Sequence, residues 1–415
     1  MNRLFPVLIL AALLLMLDVY AVQAVEAAFQ YLGEGAQSLA CQIFWGITAL
    51  GFGGIALYNL VDPALLGQRL RTFLMLFVFT LYISKLFLVA FLLLDDARRV
   101  LIWAYELVSG TSSGPIERSV WLAWAGMVSA AFPVLAILWG VLRGAHHYQV
   151  KRKSVFLPHL PEAFDGFTIA HISDIHAGTF WSKTSVQAGV ELLNAQGADV
   201  VCFTGDLVNN EAGEMNGFVE IFSQIQAPHG VFSVLGNHDY GDYLAWPSRE
   251  AKQQNLRSLI ELHGHMGWKI LLNEHHIIEK DGHQLAVLGI ENWSAKARFP
   301  QYGSLADAYQ GAEAVPVKIL LSHDPSHWRA EVLEAYPDID LTLSGHTHGM
   351  QFGLDFEFLR WSPVQYVYRE WADLYREGMQ YLYVNRGFGY LGFPGRIGMR
   401  PEITLIELRK GDAAP

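Results

Sequence analysis

The run Val120–Leu142 holds 23 residues and no charge. At about 1.5 Å of rise per residue, a helix of that length matches a hydrocarbon core of roughly 30 Å. In lipid every backbone N–H and C=O must find its partner inside the protein, which leaves such a run little choice but a helix. Two similar runs precede it. Ile43–Val61 has 19 residues without a charge, and Thr72–Leu94 has 23 with one, Lys85. All three read as membrane spans. An earlier run, Leu4–Leu17, is broken by Asp18. It reads as an uncleaved first helix, although Arg3, the short apolar stretch and Val22-Gln23-Ala24 also fit a cleavable signal peptide. The expected organisation is a transmembrane region of about four helices over residues 1–150, then a second domain over 151–415.

Charge divides the chain at the same place. Residues 1–150 carry eight Lys/Arg and eight Asp/Glu; residues 151–415 carry 21 and 32, with 14 of the 16 histidines. An acidic field repels nucleic acid and phosphate at long range, so no nucleic-acid partner is expected and any phosphate site needs local cations. Near the spans, Arg69, Arg71, Arg143, Lys151, Arg152 and Lys153 lie on one side, against Arg98, Arg99 and Arg118 on the other. The positive-inside rule then puts the C-terminal domain in the cytoplasm. Lys85 reads as pairing locally, with Asp18 as a partner, rather than as a transport site. The two cysteines, Cys41 and Cys202, sit in apolar runs, which disfavours a disulfide framework or a thiolate metal site.

From Phe167 onward, short apolar runs alternate with helix-like stretches. Strand-like runs are 167–173, 199–205, 231–236, 317–322 and 339–344; helical candidates are 183–196, 214–226, 249–264 and 326–335. Further strand-like pieces at 285–290, 381–385, 403–408 and 268–272 point to a second sheet. Unbroken β-rich runs suit strands buried on both faces, so an α/β domain with covered sheets is expected. Each of the first five runs ends in metal-ligand residue types: Asp174 and His176, then Asp206, then Asn237-His238-Asp239, then His323, then His346 and His348. Taken singly, each is as well explained by a turn, a cap or a buried histidine. Together, at the carboxyl ends of consecutive strands, they point to one shared site. Oxygen and imidazole donors without sulfur favour Mn, Fe or Zn. Seven or more ligand residues fit a pair of divalent ions better than one, and such a pair clamps the attacking and leaving oxygens of a phosphoryl transfer.

The order Asp-x-His, Gly-Asp, Gly-Asn-His-Asp, His, Gly-His-x-His resembles the calcineurin-like metallophosphoesterase superfamily. The ending YLYVNRGFGYLGFPGRIGMRPEITLIEL and the membrane-attached plan look like the bacterial YkuE/YaeI-type branch. The resemblance covers about 155–410. It implies a four-layer αββα sandwich after the helical region, and an integral protein of a bacterial plasma membrane. It also implies that Asp174, His176 and His348 hold one metal, that Asn237, His323 and His346 hold the other, and that Asp206 bridges both. His238 would act near the leaving group as general acid or charge stabiliser, with Asp239 orienting it or merely capping the next turn. Two departures stand out: Asn209 where the family often has an acidic residue, and Met350 where the branch often has glycine.

The leading reading is a membrane-anchored hydrolase of phosphoesters or pyrophosphates working by metal-activated hydroxide. Its substrate would be a small phosphoester or a lipid-linked one, since relatives within the resemblance act on acylated sugar-nucleotide intermediates. No protein partner is expected. Segments 292–303 and 356–375, rich in Trp, Tyr, Phe and Arg, would shape the pocket or cover sheet edges, and Arg386, Arg396 and Arg400 would meet phosphate or pair structurally. The rival reading is a transporter or receptor whose metal-binding domain senses a ligand without turnover. His238, a residue a pure binder does not need, argues against it.

Overall fold

The long apolar runs form helices that extend past the charges interrupting them. In the computed structural model, which describes residues 4–111, 114–356 and 358–412, α1 is Leu4–Phe29, α2 Glu34–Leu60, α3 Pro63–Ser109 and α4 Val120–Leu142. Four stretches are long and apolar enough to cross a bilayer: Phe5–Phe29, Glu34–Leu60, Leu70–Ser109 and Val120–His146. The chain divides into two units, Met1–Trp139 and Gly140–Pro415.

In the first unit Asp18 does not end α1. It is fully buried and pairs with Lys85, whose Nζ also lies 2.7 Å from Thr48 Oγ1. Tyr82 donates to the second carboxylate oxygen at 3.1 Å. A charge inside an apolar bundle is costly alone, and here each member has polar partners. Arg118 meets Asp96 at 2.9 Å and Asp95 at 3.4 Å, so the cations beside these acids are paired as well. Arg3, part of the signal-peptide alternative, lies outside the described residues.

The second unit is built on two six-stranded sheets. The strands are β1 (Gln149–Leu157), β2 (Thr168–Ile172), β3 (Val200–Phe203), β4 (Val231–Ser233), β5 (Lys269–Ile270), β6 (Glu274–Lys280), β7 (His283–Gly289), β8 (Lys318–Leu321), β9 (Leu341–Ser344), β10 (Leu354–Asp355), β11 (Arg360–Trp361), β12 (Asp373–Glu377), β13 (Gln380–Val384) and β14 (Glu402–Lys410). One sheet runs β1-β14-β2-β3-β4-β5 and the other β12-β13-β9-β8-β7-β6, with β2 to β5 parallel and β7, β8, β9 and β13 parallel. Alternation explains the layers. Ile169, Val200, Cys202 and Phe232 of the first sheet pack on Val287, Ile319, Leu321, Leu341 and Leu343 of the second. The opposite face of the first sheet, with Ala170, Ile172, Val201 and Phe203, packs on α5 (Lys183–Asn194) and α7 (Arg249–His265). The opposite face of the second, with Ala286, Leu288 and Leu320, packs on α8 (Leu305–Tyr309) and on Trp328 and Val332. The result is an αββα sandwich after four apolar helices.

One helical expectation changes. The 214–226 stretch holds only a four-residue helix, α6 (Val219–Phe222), because Gly217 at φ 80° breaks it. The 326–335 stretch is helical throughout, with a π-helical middle, Trp328–Val332, before α9 (Leu333–Ala335).

Candidate metal centre

The carboxyl ends of both sheets' parallel strands meet at one rim. β2 leads to Asp174 and His176, β3 to Asp206, and β4 to Asn237, His238 and Asp239; from the other sheet β8 leads to His323 and β9 to His346 and His348. The turns carry strain. Asp174, His176, Asp206, His346 and His348 all take φ between 49° and 69°, the left-handed region that side chains rarely adopt. Their glycine neighbours answer a need for space: a Cβ on Gly345 would lie 1.9 Å from Ser173 Oγ and 2.2 Å from Asp174 Oδ2.

Donor atoms then crowd together. His176 Nε2 lies 3.1 Å from His348 Nε2, and His348 Nε2 lies 3.1 Å from Asp174 Oδ1. Asp206 Oδ2 lies 3.5 Å from His176 Nε2 and 3.2 Å from His323 Nε2, so it faces both histidine groups. His346 Nδ1 is 3.2 Å from His323 Nε2. For metal–nitrogen and metal–oxygen bonds of about 2.0–2.2 Å, neighbouring donors on one ion lie roughly 3 Å apart, which matches these separations. The trios Asp174, His176, His348 and Asp206, His323, His346 could each hold an ion.

Orphaned atoms point the same way. Asn237 Nδ2 donates to the Tyr243 hydroxyl at 2.8 Å, leaving Asn237 Oδ1 buried without a hydrogen-bond partner. His323 Nδ1–H donates to the Thr204 carbonyl at 2.7 Å, which turns Nε2 toward Asp206 and leaves it as the nitrogen that could meet a cation. Burial lowers His176 and His346, favouring the neutral rings that ligate metals. Burial alone would lower His323 too, yet the Asp206 and Asp174 carboxylates lift it to about 10. The cluster calls for positive charge, and its residues fit divalent cations.

His238 is fixed by main chain. Its Nδ1 lies 2.9 Å from the Asn209 carbonyl and its amide donates to Asp206 Oδ1 at 2.9 Å. The expected orienting contact from Asp239 is not made. Asp239 instead accepts from the amides of Gly236, Asp206, Leu207 and Val208, at 2.8 to 3.2 Å, and so ties the β3 and β4 turns together. Burial and the Asp206 carboxylate push it up to about 7. At the Asn209 departure it is the backbone carbonyl that meets His238, while the side-chain oxygen is buried without a hydrogen-bond partner.

Of the two readings for the three arginines, meeting phosphate or pairing structurally, the contacts made are structural pairings. Arg386 is buried on Glu402 at 2.5 Å, and Arg400 donates to the His147 and Tyr148 carbonyls. Arg396 is buried on the Arg386, Gly387 and Gly389 carbonyls, with one nitrogen 3.4 Å from His348 Nδ1. Sequence reasoning missed Tyr368, whose hydroxyl lies 2.9 Å from His346 Nε2 and donates to Asp324 at 3.2 Å. It also missed Tyr243 and Phe299, whose rings stand 4.6 Å from those of His238 and His346. Tyr368 and Phe299 fall in the aromatic segments noted above, but composition does not say which ring meets which ligand.

Residues 167–350 match the family described as "Calcineurin-like phosphoesterase". The chain belongs to the calcineurin-like phosphoesterases. Residues 2–145 match "Probable Calcineurin-like phosphoesterase, transmembrane domain", so the match extends to the four apolar helices. The chain is 31% identical over 284 residues to "Transmembrane protein with metallophosphoesterase domain" of Danio rerio, covering 67% of this chain and 61% of that protein. It is 27% identical over 326 residues to the Bos taurus protein of the same name, covering 78% and 69%. With "Uncharacterized metallophosphoesterase YkuE" of Bacillus subtilis (strain 168) it shares 29% identity over 262 residues, covering 62% and 83%. The chain thus spans under two thirds of the Danio rerio relative's length. The bacterial branch is one resemblance beside the vertebrate ones.

Proposed function

We propose that this phosphoesterase is a hydrolase that binds two divalent ions, of Mn, Fe or Zn, and cleaves phosphoester or pyrophosphate bonds. Region 1–150 anchors it in the membrane and domain 151–415 carries the chemistry. The observation that carries this reading is the convergence of Asp174, His176 and His348 in one donor cluster and of Asp206, His323 and His346 in another, with Asp206 facing both; Asn237, whose buried Oδ1 has no partner, would complete the second.

Bound there, the ions supply Lewis acidity and a water of lowered pKa. The chain's residues do the rest. Asp206 faces both clusters and fixes the His238 backbone. The Asn209 carbonyl holds His238 Nδ1–H, so that in the doubly protonated ring Nε2–H is the group left to give a proton to, or hold charge at, the departing oxygen, and Nε2 is the neutral acceptor afterwards. Tyr368 and Asp324 fix the tautomer of His346 from behind.

The substrate we favour is lipid-linked, because the site shares a chain with four apolar helices. The proposed setting is a bacterial plasma membrane with the domain in the cytoplasm. Two of the cations behind that orientation, Lys151 and Lys153, also pair with Asp355 and Asp373 in the fold. A C-terminal reporter fusion, active on only one side of the membrane, tests the topology. Activity is tested with Mn²⁺ on bis-p-nitrophenyl phosphate and then on lipid pyrophosphates. Turnover abolished by Asp206→Asn is expected; full metal loading without cleavage of any phosphoester would overturn the proposal.

A further inference from the structure

A hairpin in the second unit presents apolar side chains without cover. Phe358 is 87% exposed, Phe356 53%, Leu359 45% and Leu354 41%; Met350, Phe352, Tyr366 and Val367 beside it are between 46% and 78% exposed. A contiguous apolar patch on a folded surface marks a contact. The hairpin is held firmly at its base. Asp355 of β10 meets Lys151 at 3.0 Å, Arg386 at 3.2 Å and Arg360 of β11 at 3.4 Å, while Asp373 takes Arg360 and, at 2.7 Å, Lys153. The Phe356 and Phe358 rings stack 5.7 Å apart beyond that base.

Its root identifies the occupant. Phe352 bridges to Ile397 and Gly398, and the Gly353 amide donates to the Ile397 carbonyl at 2.9 Å. The Arg396 amide in turn donates to the Gly140 carbonyl at 3.1 Å. A Cβ on Gly140 would meet Ile397 Cγ1 at 2.7 Å, and one on Gly144 would meet the Arg396 carbonyl at 2.0 Å. Gly140 and Gly144 lie in the part of the apolar stretch Val120–His146 that belongs to this unit. Within one unit, therefore, the end of a membrane span packs on segment 396–398, and that segment pairs with the hairpin's root. A span that ends against this segment makes the bilayer the occupant to expect for the apolar surface.

We propose that β10, β11 and the exposed Phe356 and Phe358, with their apolar flanks, dock into the headgroup and acyl boundary as a second, non-spanning membrane attachment. Phe and Leu at the tip suit the acyl side; Trp361, Tyr366 and the exposed Arg369 suit the interface. Met350 is two residues past His348, and Tyr368 bonds His346, so docking holds the donor clusters at headgroup level. The docking does not depend on turnover: a domain that only binds metal would dock in the same way.

The test uses the full chain in nanodiscs of phosphatidylcholine and phosphatidylglycerol, with Cys41→Ser to clear the accessible thiol; Cys202 is fully buried. A nitroxide is placed by Phe358→Cys, by Tyr366→Cys as a second hairpin site, and by Glu261→Cys on α7 as a water-exposed control. At the hairpin, collisions with oxygen should exceed those with a water-soluble nickel chelate, with an immersion of about 5–10 Å. At residue 261 the order should reverse. A water-like order at both hairpin sites overturns the proposal. Shielding of the hairpin from both reagents also overturns it, because a protein surface then covers the patch.

Discussion

Replacing Gly345 by alanine should dismantle the donor clusters without removing a donor. The new Cβ would lie 1.9 Å from Ser173 Oγ, 2.2 Å from Asp174 Oδ2 and 2.7 Å from Ser173 Cβ, where ordinary contact begins near 3.4 Å. Something must move by more than an ångström. The Ser173 hydroxyl has no hydrogen-bond partner and can rotate, but Asp174 accepts from the His346 amide at 3.0 Å and cannot yield without shifting both donor segments. Overpacking of this kind costs about 1–3 kcal/mol, and a displacement of about 1 Å at a reacting centre costs about 10²-fold in rate. At about 2–4 °C per kcal/mol, the melting temperature should drop by roughly 2–12 °C. Gly213→Ala is the control, since its Cβ would meet only Asn216 Nδ2, at 3.8 Å. The assays are Mn²⁺-dependent phosphodiesterase activity, bound metal and thermal unfolding. Ser173→Ala combined with Gly345→Ala should recover only part of the loss, because the Asp174 clash remains. The reasoning is refuted if Gly345→Ala matches Gly213→Ala in both activity and melting temperature.

His238→Ala should keep its bound metal and lose about 10²–10⁴-fold in kcat, read by metal analysis alongside kinetics. Tyr368→Phe removes the hydroxyl behind His346 and should weaken metal binding about 10–100-fold in a chelator competition. Arg386→Met leaves Glu402 buried without its cation and should cost about 3–5 kcal/mol in chemical denaturation. Burial lowers His263, far from the donor clusters in sequence, to about 3. The unfolded chain binds that proton near pH 6.5 and the folded chain does not, so stability is lost as pH falls from 6.5 toward 3. The loss is about 2 kcal/mol between pH 7 and 5, and His263→Phe should remove this part of the pH dependence of unfolding.

The apolar runs were legible because length and absence of charge are local properties. So were β2, β3, β4, β8 and β9, whose residues are all or nearly all buried. Strands with one wet face were harder to see. β1 reads as a basic flank, since Lys151, Arg152 and Lys153 carry it, and only its parallel pairing with β14 reveals a strand. β6, with two histidines and a terminal lysine, has no apolar run to find. Donor types are written in the chain, as Gly-Asn-His-Asp and Gly-His-Thr-His. Side-chain direction is not: Asp239 reads as an orienter of His238 by adjacency, yet its carboxylate turns back onto four amides. Tyr368 lies 22 residues beyond His346, too far for spacing to reveal the bond.

The most direct test of the account is a count of divalent ions on the purified full-length chain, by elemental analysis, beside the same count on Asp206→Asn. Two ions per chain, with a loss in the variant, are what shared coordination through Asp206 predicts. One ion or none, or two that the variant holds as firmly, would contradict it.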